Sequence, residues 1–166
     1  MATNAIREQK EKQVEEIKAL LSSAKSFVLV NYSGLTVAQD TELRTEYRKN
    51  NVKYHVFKNR LLKIALNDLG YTQFDDALNG PTAIALGIED IAAPAKVAAT
   101  KAAAFKKMEL KCGMIMDDKL FLDKEGCKVL ATLPAKEVLI AQLLGMLQAP
   151  IASFARAIDA IAQKQA

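Results

Sequence analysis

The chain has 166 residues and a mass of 18.1 kDa, room for one globular domain and a short appendage but too little for a large multidomain enzyme. With 51% hydrophobic and 25% charged residues, a packed core can form and wholesale disorder is excluded. A net charge of +4 and a pI near 9.0 favour a polyanionic partner, while two cysteines without a C-x-x-C pattern and a lone histidine, His55, argue against a disulfide framework or a zinc site.

A charged helix is expected from about Asn4 to Leu21, with Val14, Ile17, Leu20 and Leu21 as a thin apolar stripe and no apolar core of an export signal. Phe27–Val30 reads as a buried strand closed by the turn Ser33-Gly34. Thr36 with Gln39 three residues on is a capping box for a helix reaching about Lys49, where Asn50-Asn51 stops it. Val52 to Phe57 alternates like a strand, with Val52, Tyr54 and Val56 on one face and Lys53, His55 and Phe57 on the other. A helix from about Asn59 to Leu69 ends at Gly70.

Asn79-Gly80-Pro81 signals a turn before an apolar strand, Thr82 to Leu86, and Asp90 is placed to cap an alanine-rich helix ending at Phe105. Met108, Leu110, Cys112 and Met114 alternate as one face of another strand, with both cysteines expected buried and reduced. Leu120-Phe121 is a short extended piece, and Asp123 caps a helix ending near Leu133. Strands separated by helices predict an α/β fold, a two-layer sandwich of a small mixed sheet with packed helices, followed by a C-terminal helical tail. Pro134 marks the division, giving domains 1–133 and 134–166.

In the tail Leu139, Leu143, Leu147, Ile151, Phe154, Ile158 and Ile161 recur at spacings of four and three, so one apolar face runs through Pro150. Gln142, Ser153, Arg156 and Gln163 fall opposite. About thirty residues of helix span roughly 45 Å, more than a small sandwich needs for cover, so part of the stripe calls for a partner. Val138 to Ala155 carries no charge over a length that could span a membrane, but Gln142, Gln148, Pro150 and Ser153 argue against that.

Charge is concentrated: between Arg44 and Lys63, the seven cations Arg44, Arg48, Lys49, Lys53, Lys58, Arg60 and Lys63 face only Glu46. Within this segment a strand delivers Lys58, Asn59 and Arg60 to a helix start, where backbone amides and flanking cations would suit a phosphate. Arg7, Lys10 and Lys12 on the first helix add candidates by charge. The seven glycines form no G-x-G-x-x-G or P-loop spacing, and the acidic doublets Asp75-Asp76, Glu89-Asp90 and Asp117-Asp118 sit at turns and helix starts. No enzymatic constellation and no cofactor are expected.

The stretches Phe27–Thr36, Thr41–Arg44, Tyr54–Asn59, Gly80–Ala85, Ala93–Lys96 and Gln142–Ile151 resemble, in order and spacing, the bacterial ribosomal protein L-ten family. The resemblance implies a cytoplasmic, non-enzymatic constituent at the base of the large-subunit stalk. Its N-terminal domain would bind large-subunit rRNA beside ribosomal protein L-eleven. Its C-terminal helix would carry dimers of the acidic stalk protein, L-seven/L-twelve, and through them recruit translational GTPases. Repression of its own messenger is a further implication. Position by position, the Tyr-Ser-Gly-Leu turn falls on Tyr32, Ser33, Gly34 and Leu35, and the Lys-Asn junction on Lys58 and Asn59. Family members often follow that junction with threonine, whereas this chain has Arg60 and gains a cation. From Gly145 onward the tail offers about 30 Å, enough for two dimers at about ten residues each. The alternative is a free RNA-binding regulator with an oligomerising or membrane-associating tail.

Overall fold

A strand with four consecutive apolar residues must be covered on both faces. β1 (Ser26–Asn31) holds such a run: Phe27, Val28, Leu29 and Val30 are all fully buried. The computed structural model describes residues 2–75, 77–105, 107–116, 119–134 and 136–165, and the side chains within them except at 2–6, 159, 162, 164 and 165. It contains two compact units, residues 1–132 and 133–166.

In the first unit β1 lies at the centre of a five-stranded sheet with β2 (Val52–His55), β3 (Ala83–Gly87), β4 (Glu109–Ile115) and β5 (Leu120–Leu122), in the order β2-β3-β1-β4-β5. One face, carrying Phe27, Leu29, Ile84 and Leu86, packs against α1 (Ala2–Ser23) and α3 (Asn59–Asp68). The other, carrying Val28, Val30, Ala83 and Ala85, packs against α2 (Val37–Lys49), α4 (Ala93–Phe105) and α5 (Lys124–Thr132). Burying the apolar side chains of both faces is the main favourable term for this unit.

The α/β class holds, with two corrections to the predicted architecture. Helices cover both faces, so there are three layers instead of two. All four pairings are antiparallel, so the sheet is not mixed. The cause is visible between β2 and β3: α3 takes the chain back, and the long segment 69–82 carries it across again before β3 begins. Among its described residues that segment holds one 3-10 turn, Thr72–Phe74, which anchors Phe74 between Phe27 and Phe121 at centroid distances of 5.2 and 5.0 Å.

Local signals fix most element ends. The Thr36–Gln39 capping box forms in both directions, and Asn51 turns the chain with a positive φ of 54°. After α3 the chain reverses at Gly70, whose φ of +87° favours glycine, and Tyr71 N–H donates to Leu66 O at 2.9 Å. Asp90 Oδ1 accepts from Ala92 N–H at 3.1 Å, an Asx turn just ahead of α4 rather than its cap residue. β2 ends at His55, so Val56 leaves the predicted strand face and is 43% exposed while Val52 and Tyr54 stay buried.

β4 departs from the single face expected of it. Met108 and Leu110 belong to the core under α2, α4 and α5, whereas Cys112 and Met114 belong to the core under α1 and α3. Leu29 pairs with Cys112 and Val30 with Leu110, so Lys111 is an extra residue and the strand changes face there. Cys112 and Cys127 are buried free thiols, pushed up to about 12 and about 11 chiefly by burial.

The second unit is α6 (Lys136–Gln165), thirty residues with Pro150 inside. None of its described side chains is buried, and Leu147, Ile151 and Phe154 are 68, 76 and 68% exposed. Ile158 and Ile161 are exposed as well, and Ile140 and Leu144 widen the same apolar stripe at about 100° per residue. By length and composition alone, residues 136–158 could cross a membrane.

Candidate nucleic-acid interface

Lys58 is the N-cap of α3, with an extended backbone and a side chain that has no acceptor to offer. The amides of that first turn therefore receive no side-chain cap, which leaves the positive end of the helix open to an anion. A concavity of about 650 Å³ opens at this point, lined by Lys10 and Gln13 from α1 and by Lys58, Asn59, Arg60, Leu61 and Ile64. Three cations thus share one hollow with an uncapped helix start.

Ion pairing divides the cations that the sequence nominates. Arg7 is bound to Glu11 at 3.1 Å, Arg44 to Asp40 at 2.8 Å and Lys63 to Asp75 at 2.8 Å. Arg44 also lies 5.2 Å from the centroid of the Tyr54 ring. Among the described residues, Lys10, Lys12, Lys53, Lys58 and Arg60 have no carboxylate partner. Of these, Lys12 and Lys53 stand outside the hollow; Lys53 lines a smaller one with Arg48 along the β2 edge.

The turn after β1 is built elsewhere. Ser33 N–H donates to Asn31 Oδ1 at 3.1 Å, Leu35 N–H to Tyr32 O at 3.4 Å, and Gly34 has a φ of +79°. Tyr32 and Leu35 pack partly on the core and line a second concavity with Arg44 and Val56. The structure therefore does not bring Tyr32, Ser33, Gly34 and Leu35 to the Lys58–Arg60 hollow.

Asn59 has an internal task. Its Nδ2 donates to Leu78 O and Gly80 O, both at 2.7 Å, and Lys111 Nζ donates to Ala77 O at 3.1 Å, Asn79 O at 2.6 Å and Thr82 Oγ1 at 2.7 Å. Four consecutive carbonyls of the 77–80 loop are thus held by two side chains, and the loop pins the start of α3. Partial burial pulls the Lys111 ammonium below its usual range, a cost that the three hydrogen bonds offset. Sequence reasoning missed Lys111, because a cation between Leu110 and Cys112 is what a strand with one apolar face would carry anyway. Lys111→Met is expected to lower unfolding stability by about 1–3 kcal/mol in urea denaturation, because the loop carbonyls lose their donor.

Of the acidic doublets, Asp75 pairs with Lys63, Glu89 Oε2 accepts from Asn51 at 3.0 Å and Asp90 closes its Asx turn. Asp76, Asp117 and Asp118 lie outside the described residues. Among the described residues, no group of three His, Cys, Asp or Glu side chains could hold a metal ion.

Family comparison matches both units: the profile of ribosomal protein L10 covers residues 5–103, and that of the ribosomal protein uL10 C-terminal region covers residues 133–166. The chain belongs to the ribosomal protein L10 family. It is 42% identical to the large ribosomal subunit protein uL10 of Finegoldia magna over 158 residues, which is 95% of this chain and 87% of that protein. To the uL10 of Clostridium tetani it is 44% identical over 159 residues, 96% and 91% of the two chains. L10 family membership makes this a structural ribosomal protein, not an enzyme.

Proposed function

We propose that this protein forms the base of the ribosomal stalk, gripping large-subunit rRNA with its first unit and carrying dimers of the acidic protein L-seven/L-twelve on α6. As a uL10-family chain it is a structural constituent of the large ribosomal subunit in the bacterial cytoplasm. The observation that carries the RNA half is the hollow where Lys10, Lys58 and Arg60, none paired with a carboxylate among the described residues, meet the uncapped start of α3. Phosphate oxygens are the ligands such a site suits, with the cations supplying a salt-dependent attraction.

The tail supports the other half. Its apolar stripe is solvent-exposed from Leu139 to Ile161, and an amphipathic helix of this kind binds by laying that face against a partner. Leu147, Ile151, Phe154, Ile158 and Ile161 are the residues assigned to the dimers. Two dimers fit the roughly 30 Å that follow Gly145, and translational GTPases are reached through them. Ribosomal protein L-eleven is the expected neighbour on the rRNA, and repression of its own messenger would use the same RNA surface.

Sedimentation of the tagged protein from a low-salt lysate, followed by native mass measurement of the released complex, tests this. The expected result is co-migration with large subunits and release with four acidic chains. Release with six would refute two dimers, and migration with membranes would refute the stalk reading altogether.

A further inference from the structure

His55 and Phe57 lie on the edge strand of the sheet and just beyond its end, two residues apart, with their rings stacked at a centroid distance of 5.5 Å and an interplanar angle of 19°. Phe57 rests against the core beneath α1 and α3, and both residues are half-buried. Among the described residues the imidazole has no side-chain hydrogen bond and no other ring against it. One face of His55 is therefore taken by Phe57, while its polar edge is unused.

The surroundings are cationic. Exposed Lys53 precedes the pair on the same strand face, and exposed Lys58 follows it and leads into the Lys10–Arg60 hollow. A two-ring stack between unpaired cations suits a molecule that alternates flat rings with phosphates, and suits neither a lipid surface nor an acidic helix as well. Burial, then Lys53 and Arg44, depress the imidazole's affinity for a proton and so favour its neutral form.

We infer that His55, backed by Phe57, is a stacking platform for one unpaired base of the bound RNA, with Lys53 and Lys58 on the adjoining phosphates. The inference rests on the RNA-binding reading of this unit and specifies what it adds: selectivity for a nucleotide that has left a helix. Duplex RNA hides base faces within its own stack, so the platform discriminates unpaired from paired strands.

The test uses the full chain and an in vitro transcript of large-subunit rRNA, with affinity measured across a range of salt. His55→Ala is expected to weaken binding about fivefold or more, in line with roughly 1–3 kcal/mol per stacked base, and to leave the salt slope unchanged. His55→Phe is expected to retain wild-type affinity, because a flat ring is all that stacking requires. Ultraviolet crosslinking should place a nucleotide adduct on the segment 54–58 in the wild type. Undiminished affinity in His55→Ala, an equal loss in His55→Phe, or a lowered salt slope would overturn the platform while leaving the phosphate site standing. A wild-type protein that fails to bind the transcript would overturn the RNA reading itself and the platform with it.

Discussion

Lys58→Ala combined with Arg60→Ala is expected to weaken binding to large-subunit rRNA by roughly tenfold or more near 0.1 M salt and to lower the salt slope by up to about two charges. The argument is one of availability. Both side chains are exposed, neither has a carboxylate partner among the described residues, and both line the hollow at the uncapped start of α3. Each phosphate they hold releases condensed counterions, and that release is what the slope counts. Arg44→Ala with Lys63→Ala removes the same formal charge but should change the slope less, since Asp40 and Asp75 already neutralise those cations. Thermal unfolding of Lys58→Ala/Arg60→Ala should match the wild type, because surface changes remote from the core cost little. An unchanged RNA affinity would remove the phosphate site from α3.

What the sequence discloses here is what depends on neighbours along the chain. The Thr36–Gln39 box, the Gly70 reversal and the apolar run of β1 are all written within a few residues, and the structure contains each of them. The tail stripe is equally plain, because a helix with no cover of its own keeps its full 3.6-residue periodicity. Features set by distant contacts stay hidden. Nothing near Lys111 announces that β4 bulges opposite Leu29 and Val30, yet that bulge splits the Met108–Met114 alternation between two cores. Asn59 illustrates the same limit at the site: its amide partners lie 19 and 21 residues away, so spacing could nominate it for RNA contact but not reveal its hold on the 77–80 loop. Ion pairing is intermediate, since Asp40 and Arg44 stand four apart on one helix and could be paired by spacing, whereas Lys63 and Asp75 could not. The antiparallel β2–β3 pairing belongs with the hidden features, because its direction is decided by how the chain returns between α3 and β3.

Ending the chain at Leu133 is expected to abolish capture of the acidic stalk dimers while rRNA binding and the unfolding midpoint of the first unit persist. The core clusters explain the second half of that expectation: among the described residues their buried members and the apolar side chains packed against them end at Ala131, so the cut leaves both clusters whole. Every residue assigned to the dimers lies beyond the cut, and with it goes an exposed apolar stripe, so the truncated protein should also be less prone to aggregate. Retained capture in a pull-down with purified acidic protein would place the dimer site in the α/β unit instead. A shorter cut sharpens the count. Ending the chain after Phe154 leaves only the first ten or so residues that follow Gly145, and native mass should then show one dimer where the full chain carries two. Loss of both dimers at that cut would mean that the segments bind as one cooperative unit, and retention of both would mean that the dimers sit nearer the start of α6 than the stripe's length implies.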